Sequence, residues 1–299
     1  MDLAWLPGLW WCHFWALRAA LGVLGQTLLR FPSTDDKSMR MTSEKSIFDW
    51  ISYPRAYFLA VLLSVYTFLI SLTIVTLAFL TRSQKALDPI IKYVWPRPML
   101  WLGGVKVDVR GLENVRLNGK GFLLLFNHSS MVDIPVLYGF FPRSFRFGAK
   151  IELFDVPVFG KAMKMCGVLP IDRGNRNKVM KVYEHAIERV NNGECFALAP
   201  EGTRQEAETL GKFKRGPFEF AVNAKMEIVP VVVVGALKVM PKHSLLLNAG
   251  RFRRTVILEI LPAVDGAEFT NESLDEFQEK VRNMMAPKFV QLNEELAGF

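Results

Sequence analysis

The stretch from Ala56 to Leu80, AYFLAVLLSVYTFLISLTIVTLAFL, carries no charge, no proline and no glycine. A segment that is apolar all round must satisfy its own backbone polar groups, which makes it an α-helix. Its 25 residues would rise roughly 37 Å, enough to cover a bilayer hydrocarbon core with some tilt. Ser64, Thr67, Ser71, Thr73 and Thr76 are compatible with this, because their hydroxyls can bond back to carbonyls of the preceding turn. Arg55 and Arg82 close the two ends. Lys37, Arg40 and Lys45 lie before the segment and Lys85, Lys92 and Arg97 after it, so the charge rule for topology gives no orientation. Crossing of both leaflets and an oblique position in one stay open as readings.

Residues 1–50 are of a different kind. Four of the seven tryptophans (Trp5, Trp10, Trp11, Trp15) fall within the first fifteen residues, the composition of an interfacial anchor. A cleaved signal peptide is disfavoured, since the chain starts on the acidic Met1-Asp2 and Arg18 interrupts the apolar run. Met39 and Met41 offer another reading, in which the first forty residues are an extension ahead of the true start. Residues 31–50 read as a polar linker. The expected organisation is therefore a leader and linker over 1–50, a membrane-anchoring helix region over 51–97, and a catalytic domain over 98–299.

Half of the chain is hydrophobic (51%) and its formal charge is +8. Basicity combined with apolarity points to an anionic membrane surface or anionic substrates. Nucleic acid is not an expected partner, for the chain has no zinc-finger spacing, RNA-recognition signature or lysine-rich tail. Cys12, Cys166 and Cys195 are odd in number and scattered. They suggest neither a disulfide framework nor a metal cluster, which fits a reducing compartment and no bound metal.

From about Trp101 the pattern changes. Val105, Val107 and Val109 alternate, and Leu123–Phe126, Cys195–Ala199 and Ile228–Val234 are apolar runs of strand length. Val168–Ile171 and Thr255–Leu261 are further strand candidates. Helical patterns occupy Asp133–Phe141, Pro157–Met165, Lys178–Asn191 (closed by Gly193) and Ser273–Leu296, the last with Pro287 as a point of possible bending. Strands alternating with helices predict an α/β domain with a central, mostly parallel sheet flanked by helices, preceded by the N-terminal membrane helix. Ligands of such sheets collect beyond the carboxyl ends of the strands.

Three motifs sit at those ends. The first is Asn127-His128-Ser129-Ser130-Met131-Val132-Asp133, directly after Leu123–Phe126. Within one helix, two residues five apart point roughly 140° away from each other. Across a strand-to-helix turn they can converge, and a carboxylate on one ring nitrogen then makes the other a general base. The plainer reading is that Asp133 caps the helix containing Pro135 while His128 packs in a loop. The second motif is Pro200-Glu201-Gly202-Thr203-Arg204. Glycine allows close backbone approach and an arginine fork matches phosphate oxygens, although a surface turn with a Glu–Arg pair has the same residues. The third is Gly167-Val168-Leu169-Pro170-Ile171-Asp172-Arg173, with Lys150 before it and Arg176 and Lys178 after it. These cations suit a second anionic group, or simply a solvated basic face. Phe213-Lys214-Arg215-Gly216 resembles the start of a helix.

The order Asn-His-x4-Asp, Gly-x4-Asp-Arg, Pro-Glu-Gly-Thr-Arg and Val229-Pro230-Val231 resembles the four-block signature of glycerolipid acyltransferases. More narrowly, it resembles the PlsC-type lysophosphatidic acid acyltransferases (1-acyl-glycerol-3-phosphate O-acyltransferases), over about Trp101 to Leu261. The resemblance implies a membrane enzyme of phospholipid synthesis. In that reaction the sn-2 hydroxyl of lysophosphatidic acid attacks an acyl thioester, giving phosphatidic acid and free coenzyme A or acyl carrier protein. It implies no cofactor beyond that acyl-CoA or acyl carrier protein donor. By position, His128 would be the base and Asp133 its orienting partner. Glu201, Gly202, Thr203 and Arg204 would form the acceptor-phosphate site, and Arg173 and Lys150 would help place substrate phosphates. The Val229-Pro230 block would be mostly structural. Ser129 stands where many members carry glutamine, and Gln205 where serine is common, which bears on substrate preference rather than on reaction type. The active site is expected on the cytoplasmic face of its membrane. A compact chain with one strong hydrophobic segment favours a bacterial inner membrane, with the endoplasmic reticulum as the alternative.

Other functions compete with this one. A serine hydrolase would use Ser129 or Ser130 as nucleophile, but the Gly-x-Ser-x-Gly elbow is missing. An acyltransferase for glycerol 3-phosphate or another lysophospholipid would carry the same blocks, and so would an inactive membrane scaffold on this fold. His13, His185 and His243 are read as bystanders.

Overall fold

The computed structural model describes residues 47–206 and 209–298. The Trp-rich leader and residues 31–46 of the expected linker lie outside the described residues, and residues 47–50 of that linker are already helical. In chain order the elements are helix α1 (Ile47–Thr81), a 3₁₀ turn (Lys85–Leu87), a π turn (Ile90–Val94) and α2 (Pro96–Leu102). Strands β1 (Val105–Arg110) and β2 (Leu123–Phe126), helix α3 (Asp133–Phe140) and strand β3 (Phe145–Lys150) follow. Next come α4 (Phe159–Met165), β4 (Leu169–Ile171), α5 (Arg176–Asn191), β5 (Cys195–Leu198), α6 (Gly216–Asn223) and β6 (Glu227–Val234). The chain ends with α7 (Ala236–Val239), β7 (Arg254–Ile260), β8 (Val264–Asp265) and α8 (Leu274–Ala297), which runs through Pro287 as one helix.

The eight strands form one sheet in the order β1-β7-β6-β2-β5-β3-β4, with β8 continuing along β6. Pairings β1–β7, β6–β2, β2–β5, β5–β3 and β3–β4 are parallel, and only β7 and β8 run against β6. The expected mostly parallel sheet is thus present. Its centre is made of strands without a polar face, Leu-Leu-Leu-Phe in β2 and Cys-Phe-Ala-Leu in β5, each buried throughout. That is the pattern of strands covered on both sides.

Alternate residues of the central strands feed two apolar layers. On one face Leu124, Phe126, Ala197, Val229, Val231 and Val233 meet Val136 and Leu137 of α3. On the other, Leu123, Leu125, Phe196, Leu198 and Ile228 meet Tyr183 of α5, Phe220 of α6 and Phe277 of α8. The period of two along each strand accounts for the division.

Helix α1 belongs to the first layer. Ala56, Leu59, Leu63, Ser71 and Ile74 are buried, a stripe at helical spacing, and α1 packs on α4. Its opposite side exposes Phe58, Val61, Val65, Phe68, Leu69, Leu72, Phe79 and Leu80. Bonds tie it to the body along its length. Arg55 Nη1 donates to the Phe252 carbonyl at 3.3 Å, Trp95 Nε1 donates to Thr67 Oγ1 at 3.2 Å, and Tyr66 Oη donates to the Val94 carbonyl. The hydroxyls of Ser64, Ser71, Thr73 and Thr76 bond back four residues along the helix, as their composition suggested. The helix is therefore one wall of the domain, with an apolar face turned outward.

Strand β3, Phe-Arg-Phe-Gly-Ala-Lys, was not expected, since arginine and glycine interrupt its apolar alternation. Arg146 is buried within it, and its Nη1 lies 2.6 Å from Asp88 Oδ1 in the segment that follows α1. Burial disfavours the charge, but Asp88 and then Glu194 hold the guanidinium above its ordinary pKa. The cation is stable there because its partner arrives from far along the chain.

Candidate active site

β2 ends at Phe126, and the next residue makes the departure from the sheet possible. Asn127 Nδ2 donates to the Val233 carbonyl at 2.8 Å, and the Val233 amide donates to Asn127 Oδ1 at 2.7 Å. A side-chain amide thus replaces the ladder bonds of a backbone that turns away from β6. His128 follows, already beyond the strand end.

The His128 ring and Asp133 meet, with Nδ1 2.8 Å from Oδ2. The same carboxylate oxygen accepts the Ser129 amide at 2.8 Å and the Ser130 amide at 2.9 Å. These donors precede α3, so Asp133 does not cap its own helix in the usual manner. It folds back and holds the turn around the histidine, and its place in the first turn of α3 favours its negative charge. Asp133 is fully buried, whereas the His128 side chain retains 12% exposure. Nδ1–H donation to the carboxylate leaves the Nε2 lone pair free for a proton. Phe126 packs edge-on behind the imidazole, with ring centroids 5.6 Å apart.

The Pro-Glu-Gly-Thr-Arg loop is fastened to that turn. The His128 amide donates to Glu201 Oε2 at 3.0 Å, the Gly211 amide to Glu201 Oε1 at 2.9 Å, and the Gln205 amide to the His128 carbonyl at 2.8 Å. Glu201 is buried; its burial raises the carboxyl pKa, while the two amide bonds oppose that rise. The family resemblance assigns Glu201 to the acceptor phosphate. In the structure both of its oxygens are engaged by backbone, and like charge would repel phosphate, so it braces the loops. Gly202 adopts φ +75°, and a β-carbon there would come within 3.0 Å of Lys214 Cε. Glycine is needed for the left-handed turn, whereas the end of the lysine could give way. Thr203 is exposed, and its Oγ1 accepts from Gln205 Nε2 at 3.2 Å.

Arg204 and Arg173 come from separate motifs but sit near enough to repel. Arg173 is pushed below its ordinary pKa first by burial and further by Arg204, with Glu152 opposing. Arg204 Nη1 also donates to the Lys242 carbonyl at 2.7 Å, which aims the guanidinium without neutralising it. Lys150 is more peripheral: half-exposed, it pairs with Glu152 at 3.0 Å. The structure therefore joins His128, Asp133 and Glu201 in one hydrogen-bonded unit and sets Arg204 next to Gln205, whose amide bonds that unit, with Arg173 near Arg204. The Asn127 clasp, the Gly211 contact and the nearness of the two arginines were not foreseen; only Asn127, at a strand end, carried a local signal.

Ser130 is not poised as a nucleophile. Ser130 Oγ donates to the Met240 carbonyl at 2.7 Å and accepts the Val132 amide at 3.2 Å, and the imidazole nitrogen facing the turn is engaged by Asp133. Ser129→Ala should retain turnover within a few-fold, Ser130→Ala should lose some stability but not the reaction, and intact-mass spectra should show no acyl-enzyme. A trapped acyl-serine would overturn direct transfer. His185 Nδ1 contacts the Lys181 carbonyl on α5, and the exposed His243 lies 3.8 Å from Glu206, next to the Lys242 carbonyl that accepts from Arg204.

Residues 106–234 match the family model described as Acyltransferase. Over that stretch the chain is similar to the acyltransferase family. The similar proteins include several named 1-acyl-sn-glycerol-3-phosphate acyltransferase. It is 35% identical over 149 residues to a chloroplastic one of Brassica napus, covering 50% of this chain and 43% of that protein. The Saccharomyces cerevisiae protein is 34% identical over 186 residues, 61% of this chain and 59% of its own. The Pseudomonas aeruginosa protein is 34% identical over 142 residues, 46% and 54% of the two chains. The chain thus spans about half the length of the curated relatives it matches. Its fold is that of the 1-acyl-sn-glycerophosphate (LPA) acyltransferase, PlsC, from Thermotoga maritima. The TM-score is 0.63 at 24% identity, over 81% of this chain and 97% of the other.

Proposed function

We propose that this protein transfers a fatty acyl group from an acyl thioester, carried by coenzyme A or acyl carrier protein, to the sn-2 hydroxyl of lysophosphatidic acid. The product is phosphatidic acid, a phospholipid precursor. One observation carries the reading: the His128 Nδ1–Asp133 Oδ2 contact of 2.8 Å leaves Nε2 free to act as a base, on a turn bonded to the loop that carries Arg204. The names of the relatives agree with it.

In this mechanism Nε2 takes the hydroxyl proton as the alcohol oxygen attacks the thioester carbon. The carbon–sulfur bond then breaks, and the imidazolium returns the proton to the departing thiolate. Asp133 keeps the tautomer and stabilises the transient imidazolium. Arg204 and Arg173 take the acceptor phosphate, and Glu201 and Gly202 hold the loop that presents them. Fixing the phosphate and the base on two loops joined by backbone bonds turns an encounter into a positioned reaction.

Helix α1 places this chemistry at lipid. Its buried stripe belongs to the domain and its outward face is apolar, so it enters one leaflet along with the body. The catalytic edge then faces the cytoplasmic surface of the membrane, where lysolipid arrives laterally and thioesters arrive from water.

The deciding experiment is an assay of purified full-length protein with labelled acyl-CoA and acyl carrier protein donors against a panel of lysolipids and glycerol 3-phosphate. Lysophosphatidic acid should be the preferred acceptor. Arg204→Ala should raise its KM about 10- to 100-fold, the loss of a charge-assisted bond of about 1.5–3 kcal/mol. Unchanged lysophosphatidic acid kinetics in that variant would remove Arg204 from the phosphate site.

A further inference from the structure

The loop Gly250-Arg251-Phe252-Arg253-Arg254 takes no part in the transfer described above. It joins the sheet on the edge from which His128 leaves it. β7 runs against β6, whose carboxyl end lies beside that of β2, and Arg254 pairs with Val105 at the start of β1. The same loop receives the first turns of α1. The Gly250 amide donates to Ser52 Oγ at 3.1 Å, Arg55 Nη1 donates to the Phe252 carbonyl, and the Arg55 guanidinium lies 4.8 Å from the Phe252 ring centre.

Four arginines, Arg55, Arg251, Arg253 and Arg254, thus gather where the apolar helix meets the catalytic edge. None forms an ion pair with a carboxylate among the described residues. Among the described residues the acceptors of Arg254 are neutral, Asn248 Oδ1 at 3.0 Å and the Ala249 carbonyl at 3.4 Å. Burial and then the neighbouring Arg251 push its guanidinium below the usual range. Arg55 Nε and Nη2 are buried without a hydrogen-bond partner among the described residues. Arg251 and Arg253 are exposed, as are Ile51, Tyr53, Tyr57 and Phe58 nearby in α1. Uncompensated cations next to exposed aromatic and aliphatic side chains match the boundary between lipid phosphates and acyl chains.

We propose that this arginine loop binds the phosphates of anionic phospholipids in the bilayer, at a place separate from the Arg173–Arg204 acceptor site, and seats the catalytic edge on the membrane. The inference rests on the reading of α1 as the lipid-facing wall, but not on the acyl-transfer chemistry.

The test uses full-length protein carrying Arg251→Gln and Arg253→Gln together, both solvent-exposed positions, with thermal melting as a check on folding. Sedimentation with vesicles of phosphatidylcholine, alone or mixed with phosphatidylglycerol, measures partitioning. Each arginine contributes about 5-fold at an anionic surface. The double variant should therefore bind mixed vesicles about 25-fold more weakly than wild type, with the difference fading at high salt and absent on phosphatidylcholine alone. Arg204→Ala should bind mixed vesicles as wild type does. Turnover of a short-chain, water-soluble lysophosphatidic acid should be unchanged in the double variant, while turnover of vesicle-borne substrate falls. Equal partitioning of wild type and double variant on mixed vesicles would overturn the proposal and leave the α1 reading standing. Wild type that binds neither kind of vesicle would overturn both.

Discussion

His128→Ala should lower kcat by about 10²- to 10⁴-fold, the usual contribution of a positioned base, while KM for lysophosphatidic acid moves little. The phosphate contacts reside in other side chains, and the imidazole ring lies at the rim, so folding should be preserved. Asp133→Asn separates geometry from charge. Asp133 Oδ2 receives three donors, whereas Oδ1 is buried and has no hydrogen-bond partner among the described residues. An amide can keep its oxygen on the three donors and place its nitrogen at the empty position, at a cost of about 1–3 kcal/mol for the unmet donor. The turn should survive and the imidazolium should lose its counter-charge. Stopped-time assays and melting curves on both variants check this. An Asp133→Asn enzyme with wild-type kcat would show that the carboxylate serves structure alone.

The largest expected loss of stability is at a site remote from the chemistry. Asp88→Ala should destabilise the fold by about 3–5 kcal/mol, since it takes the close partner from the buried Arg146 charge in β3. The 2.6 Å contact couples the segment after α1 to the sheet, and without it the buried cation keeps Glu194 Oε1 at 3.7 Å, on a carboxylate shared with Arg189. Thermal denaturation should fall by roughly 10 °C. Replacing both partners together, Asp88→Leu with Arg146→Met, should recover most of the loss, because paired apolar groups need no counter-charge. A double variant as unstable as the single one would locate the effect in packing instead.

How far the sequence could be read follows from the range of the interactions. β2, β5 and β6 are legible because strands buried on both faces are apolar without interruption, and α5 is legible because one stripe of it is buried. β3 is not. Arg146 would exclude it from any buried strand unless Asp88 were known to lie against it, and Gly148 fits because Leu198 Cδ2 comes within 2.3 Å of where a β-carbon would stand. The same distinction holds at the site. His128 and Asp133 are five residues apart, so a turn can bring them together, and their pairing is readable. Glu201 is 73 residues from His128, and its bond to that backbone is a fact of tertiary packing. The family resemblance put it in the phosphate site, and only the fold shows its oxygens spent on amides. Arg173 and Arg204 likewise become neighbours through the sheet order and not through any local pattern.

The burial of Leu59, Leu63 and Ile74 alongside Leu124 and Val136 has a practical consequence for anyone who handles this molecule. A fragment trimmed to begin after the long helix would not be a liberated module. The flank of the sheet would lose its cover, and water would enter where hydrocarbon had been. Detergent, or a substitute covering for that flank, is thus a condition of keeping the catalyst whole.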